Sequence, residues 1–135
     1  MEAKEQETQL IMFESDENYI TVADIICFNM GLKLGVTARS VAEAKNLFAR
    51  IANQELKPEI AIVTNFLERD ANDGSQIAKK LRELLPEIKI VAYSFVADEN
   101  WADKVAVKAS TDVGHSLISV LSDLTHKKFK NSNNL

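Results

Sequence analysis

Residues 58–74, PEIAIVTNFLERDANDG, start as a continuous apolar run from Ile60 to Val63 and end in a polar loop closed by an Asp-Gly step. A run of this kind reads as a strand buried on both faces. The loop at the carboxyl end of such a strand is where open α/β sheets hold their chemistry. This strand delivers Thr64 and Asn65, and no carboxylate. A threonine hydroxyl attacks only with a base beside it, and it is a poorer metal ligand than a carboxylate. The remaining reactive types are sparse. Cys27 stands alone in an apolar helical pattern, which implies a buried, reduced thiol. His115 and His126 are too far apart to act as a ligand pair, and both are expected to face solvent.

Short apolar runs alternate with helical periodicity along the chain. QLIMFE (9–14) is a strand. NYITVADIICFNM (18–30) places Tyr19, Val22, Ala23, Ile26, Cys27 and Met30 on one helical face, with Gly31 as its C-cap. KLGVTA (33–38) is a second strand, and Ser40 caps a helix that turns Val41, Ala44, Leu47, Phe48 and Ile51 inward. After the third strand come a helix with Ile77, Ala78, Leu81, Leu84 and Leu85, a fourth strand (88–94) and a fifth (103–108). The last helix is expected from Ser110 or Thr111, with Asp112 in its first turn, Val113, Leu117, Val120, Leu121 and Leu124 inward, and Lys127 and Lys128 at its C-terminal dipole. Alternating βα units of this kind make an α/β fold: a doubly wound, five-stranded parallel sheet in three layers.

The 135 residues suit one domain, expected over 9–126, between an N-terminal tail (1–8) and a C-terminal tail or linker (127–135). A content of 46% apolar and 27% charged residues excludes a disordered chain. The formal charge of −4 and the lack of a basic helix argue against nucleic acid. The acidic start MEAKEQETQ is not a secretory signal, and no apolar run nears the roughly 18 residues of a membrane span, so a cytoplasmic protein is expected.

The order of these motifs resembles a response-regulator receiver domain (CheY-like) over residues 9 to about 126. LIMFESDENYI resembles the family's first strand and acidic pair, and CFNMGLKLGVTARSVAEAKNLF its first-helix exit, second strand and second helix. PEIAIV resembles the phosphoacceptor strand, DG the loop exit, IVAYS the fourth strand and VAVKA the lysine-bearing strand. The resemblance implies a site that takes phosphate on an aspartate with Mg²⁺ bound nearby, and in this chain most of that machinery is missing. Thr64 stands at the phosphoacceptor position, and Glu14 and Ser15 stand at the acidic pair, so one of two carboxylates is lost. Ser94 and Lys108 remain at the switch and lysine positions. Phe95 replaces a small residue, Val105 the switch aromatic, and Ala109 the usual proline; the Thr64–Asp73 loop is about two residues longer than usual.

Each position also has a plainer reading. Thr64 would be a strand-end residue without a chemical role, and Glu14 a solvated carboxylate. Lys108 would pair with Glu14, for about 0–1 kcal/mol if exposed. Between Ser94 and Lys108 lie only FVADENWADKVAV. The fifth strand leaves roughly eight of these residues for a crossover that normally takes a dozen or more, so the fourth helix should be missing or shortened. Trp101, in that connection with Phe95 and Val96, either covers the sheet edge or anchors a partner. Helical geometry turns Phe28 away from the core, with Ile25 beside it, as a second candidate interface.

These features suggest a pseudo-receiver: a non-enzymatic, phosphorylation-independent protein-interaction module of bacterial signalling, with no catalytic residues, metal or cofactor. Its partners would be pathway proteins, with a homodimer also open. One alternative is a receiver gated by a small anion or metabolite held by Ser94 and Lys108. Another is residual phosphorelay function with Mg²⁺ on Glu14 and Asp16. A flavodoxin-like nucleotide binder would need a Ser/Thr/Gly-rich loop after the first strand, where ESDEN is acidic instead.

Overall fold

The computed structural model describes residues 9–95, 99–108 and 114–129. Its elements are β1 (Gln9–Phe13), α1 (Glu17–Met30), β2 (Lys33–Ala38), α2 (Val41–Ala52), β3 (Ile60–Thr64), α3 (Asp73–Leu84), β4 (Lys89–Ser94), β5 (Lys104–Val107) and α4 (His115–Thr125). The strands form one parallel sheet in the order β2-β1-β3-β4-β5. This is the expected doubly wound α/β architecture, with four helices among the described residues. None of these helices is long and apolar enough to cross a membrane.

Period-two alternation sorts the strand residues onto two faces. Leu10 and Met12 of β1, Ile60 and Ile62 of β3, Val91 and Tyr93 of β4, and Ala106 of β5 pack under α1 and α4. Ile11, Phe13, Ala61, Val63 and Ile90 pack under α2 and α3. β3 lies at the centre and is buried throughout. The alternation decides the site as well: Thr64 at the end of β3, and Glu14 and Lys108 just past the ends of β1 and β5, continue the first series. All three therefore fall on the α1 side.

Local chemistry sets the helix ends. Asp16 caps α1 by accepting from Asn18 N at 2.9 Å, and Gly31 closes it in the left-handed region at φ 70°. Ser40 caps α2 by accepting from Glu43 N. Cys27 is buried in the α1 face, and burial pushes its thiol up to about 12, which fits the expected inert, reduced residue. His115 and His126 are exposed, as expected.

One expectation about the chain's end needs correction, and others fall outside the described residues. The last helix is described from His115, and the expected start at Ser110 or Thr111 lies outside the described residues. Gly114 ahead of it sits at φ 79°, where a helix cannot continue, and a Cβ there would meet Ile26 Cδ1 at 2.7 Å. The proposed first turn, with Asp112 and Val113, lies outside the described residues. Lys127 does not serve the dipole of α4; its Nζ donates to Gly31 O at 3.2 Å and so ties down the end of α1. Phe129 packs against the core beneath α1 and α4. The expected N-terminal tail, and residues 130–135, also lie outside the described residues.

No helix is described between β4 and β5, where residues 99–103 make turns. Side chains do the stitching. Asp103 N donates to Ile90 O at 2.9 Å, and its side-chain Oδ2 accepts from Ile90 N at 2.8 Å. Arg82 of α3 donates to Trp101 O at 2.7 Å and pairs with Asp103 at 3.3 Å. Trp101 folds back onto the core beneath α2 and α3, which is the edge-covering role. Its ring lies on Gly74, where a Cβ would stand 2.7 Å from the ring and 2.6 Å from Thr64 O. Gly74→Ala is therefore expected to destabilise by about 1–3 kcal/mol, read by chemical denaturation, because a backbone carbonyl cannot yield.

Candidate functional site

At the carboxyl end of the sheet, Lys108 is buried rather than exposed. Its Nζ lies 2.6 Å from Glu14 Oε1, with both side chains almost wholly covered. The ammonium also donates to Thr64 Oγ1 at 3.1 Å. The Glu14 contact is Coulombic rather than a well-aligned hydrogen bond, since Oε1 has no donor of good angle among the described residues. The other oxygen, Oε2, accepts from Ser15 N and Asp16 N, each at 3.1 Å, at the turn into α1.

Three aromatic rings surround the cation. Its distances to the ring centroids are 4.5 Å for Tyr19, 5.2 Å for Tyr93 and 5.6 Å for Phe95, all within reach of cation–π attraction. Tyr19 meets Tyr93 and Phe95 edge-on. Burial raises both phenols, helped at Tyr19 by Asp16 and Glu14 and at Tyr93 by Glu14, so both rings stay neutral. The strand periodicity explains the cage. Tyr93 is the register partner of Thr64, and Phe95 lies two residues beyond it on the same side.

The sequence foresaw the Lys108–Glu14 pairing but not its setting. Glu14 is not a solvated carboxylate but is 2% exposed, and Thr64 is not idle but accepts from the ammonium. Ser15 is exposed, and its backbone N–H, not its side chain, serves the site. Ser94 is buried and donates to Glu99 Oε2 at 3.1 Å, while Trp101 Nε1 donates to Glu99 Oε1 at 3.3 Å. Phe95 is 64% exposed and roofs the cage; Ile25 and Phe28 of α1 are 53% and 84% exposed, as helical geometry predicted. Val96 and Ala109 lie outside the described residues.

Three participants were missed. Tyr19 was read only as part of the inward face of the first helix, and Tyr93 only as part of the fourth strand, although the parity of Tyr93 with Thr64 was available. Asp73 was read only as a loop exit. It is buried, and its Oδ2 accepts from the backbone N–H of Leu67, Glu68, Arg69 and Asp70, between 2.7 and 3.4 Å. Burial acts to raise this carboxyl, but the four donors outweigh it and hold Asp73 below the usual range.

The magnesium implied by the resemblance needs carboxylate oxygens that are free to coordinate. Glu14 has one oxygen against an ammonium and the other on two N–H groups, and Asp16 spends Oδ1 on capping α1. No group of three or more His, Cys, Asp or Glu converges among the described residues. The residues present do not fit the ion.

No family model matches the chain, and no curated protein matches it. Solved structures do. The phosphorylated cyanobacterial phytochrome response regulator RcpA aligns with a TM-score of 0.69 at 13% identity, over 93% of this chain and 100% of that one. A CheY-like response regulator receiver domain protein from Methanospirillum hungatei aligns at 0.62 and 17% identity, over 87% and 96%. The RcsB response regulator of Salmonella typhimurium aligns at 0.65 and 10% identity, covering 93% of this chain; the chain spans only 64% of RcsB. The fold is that of a CheY-like receiver domain.

Proposed function

We propose that this chain is a pseudo-receiver: a non-enzymatic module of bacterial signal transduction that binds a protein partner without being phosphorylated. One observation carries this reading. The place where a receiver would hold an acid for phosphoryl transfer contains Thr64 bonded to a buried ammonium, and that ammonium's counter-ion is the remaining carboxylate, Glu14. An acyl phosphate needs a carboxylate nucleophile, and a hydroxyl facing a cation has no base to take its proton. The pair also opposes gating by an anion in this pocket, because an anion would have to displace Glu14 from Lys108. Phe28 and Ile25 on α1 are the surface that favours a partner protein, since an exposed aromatic beside an exposed isoleucine is a natural interface anchor.

Trp101 is the chain's one tryptophan; it is tied through Glu99 to Ser94, and its ring lies on Gly74, whose N–H donates to Asn65 O just past β3. Its fluorescence therefore reports on the strand ends. Incubation with Mg²⁺ and acetyl phosphate should leave the intact mass unchanged, and Mg²⁺ with beryllofluoride should give no saturable change in emission. A phosphate adduct or a saturable response would reverse the reading.

A further inference from the structure

We infer that the groove between α2 and α3, on the opposite side of the sheet from Lys108, binds a small amphipathic organic anion: a carboxylate on an alkyl or aryl body. The groove encloses about 320 Å³, at the lower end of the range of small-ligand pockets. Its apolar lining comes from Val41, Ala44 and Phe48 along one stripe of α2, from Ile77 of α3, and from Leu67 in the intervening loop. Asp73 holds that loop in place by accepting from Leu67 N at 3.0 Å, so this wall is set before any ligand arrives.

Lys45 of α2, Lys80 of α3 and Arg69 of the loop also line the groove. None of the three forms an ion pair among the described residues. The Asp73 carboxylate also lines the groove, with Oδ2 turned to four backbone amides, and Glu68 beside it accepts from Val41 N at 2.7 Å. Three cations against one lining carboxylate leave the groove net positive in a chain of net charge −4, and an anion among the three cations is attracted there. The apolar lining excludes a bare inorganic anion as the fitting ligand, and the cations exclude a neutral one. The enclosed volume suits a body the size of a short chain or a ring rather than a partner's helix.

The test is a ¹H–¹⁵N titration with octanoate, alongside octanol, which has the body without the charge, and inorganic phosphate, which has the charge without the body. Octanoate should give saturable shifts centred on Val41, Ala44, Leu67, Ile77 and Lys80. Octanol should bind about tenfold more weakly, and phosphate should leave these amides unmoved. The exposed pair Lys45→Glu and Lys80→Glu should weaken octanoate about tenfold without lowering the melting temperature, while Lys45→Arg with Lys80→Arg retains binding. The inference fails if octanoate gives no saturable shifts, if octanol matches octanoate, if phosphate alone produces the shifts, or if charge reversal changes nothing.

Discussion

Lys108→Met alone should lower the unfolding free energy by about 3–5 kcal/mol, because it leaves the Glu14 carboxylate buried without its counter-ion. Glu14→Gln should cost a similar amount by orphaning the ammonium, even though the amide oxygen can still accept from Ser15 N and Asp16 N. The double variant should recover most of the loss. A paired charge in the interior stabilises little compared with a well-packed neutral substitute, whereas half of such a pair is strongly destabilising. Urea unfolding of the four proteins in this cycle measures the coupling directly. Two additive single effects would show that the contact carries no coupling. The cage sharpens the asymmetry: methionine keeps the contact with Tyr19, Tyr93 and Phe95 but loses the cation those rings attract.

Asp73→Ala is the second large effect, expected at about 2–4 kcal/mol, since four backbone donors in the β3–α3 loop lose one charged acceptor. It carries a pH signature whose sign is fixed by the direction of the shift. The folded carboxyl is held below its unfolded value, so its contribution is complete above the unfolded value, near pH 4. That contribution disappears as pH falls through the lower, folded value. The stability gap between wild type and Asp73→Ala should therefore stay constant from neutral pH to about 5 and narrow below about pH 4. A gap that persists unchanged to strongly acid pH would mean that the residue acts by packing and not by charge.

Much of the fold was legible because its signals are local. The buried run at Ile60–Val63, the C-cap at Gly31 and the N-cap at Ser40 each declare an element within a few residues. The short Ser94–Lys108 connection showed by length alone that a crossover helix would not fit. The candidate site was half legible. Thr64, Glu14 and Lys108 were named, and so was the Lys108–Glu14 pairing but not the Thr64 contact, and pairing on paper does not reveal burial. Burial here depends on Tyr19, Tyr93 and Phe95 closing over the amine, which come from a helix and a strand distant in sequence. Asp73 was hidden for a different reason. Its four partners are backbone amides of a loop, and no side-chain pattern announces them. The described start of the last helix at His115 rests on Gly114, which acts through its backbone angle and leaves no signal in the apolar spacing.

The claim beneath all of this is that the cleft at the carboxyl ends of β1, β3 and β5 is filled by its own cation and carboxylate. Lysine-ammonium NMR examines that claim most directly, with Lys108→Met to assign the signal. One ammonium resonance should exchange slowly with water, shift on Glu14→Gln, and stay in place when Mg²⁺ and beryllofluoride are added. If the Lys108 ammonium exchanges as fast as the surface lysines and moves when those ions are added, the cleft is open and the account is wrong.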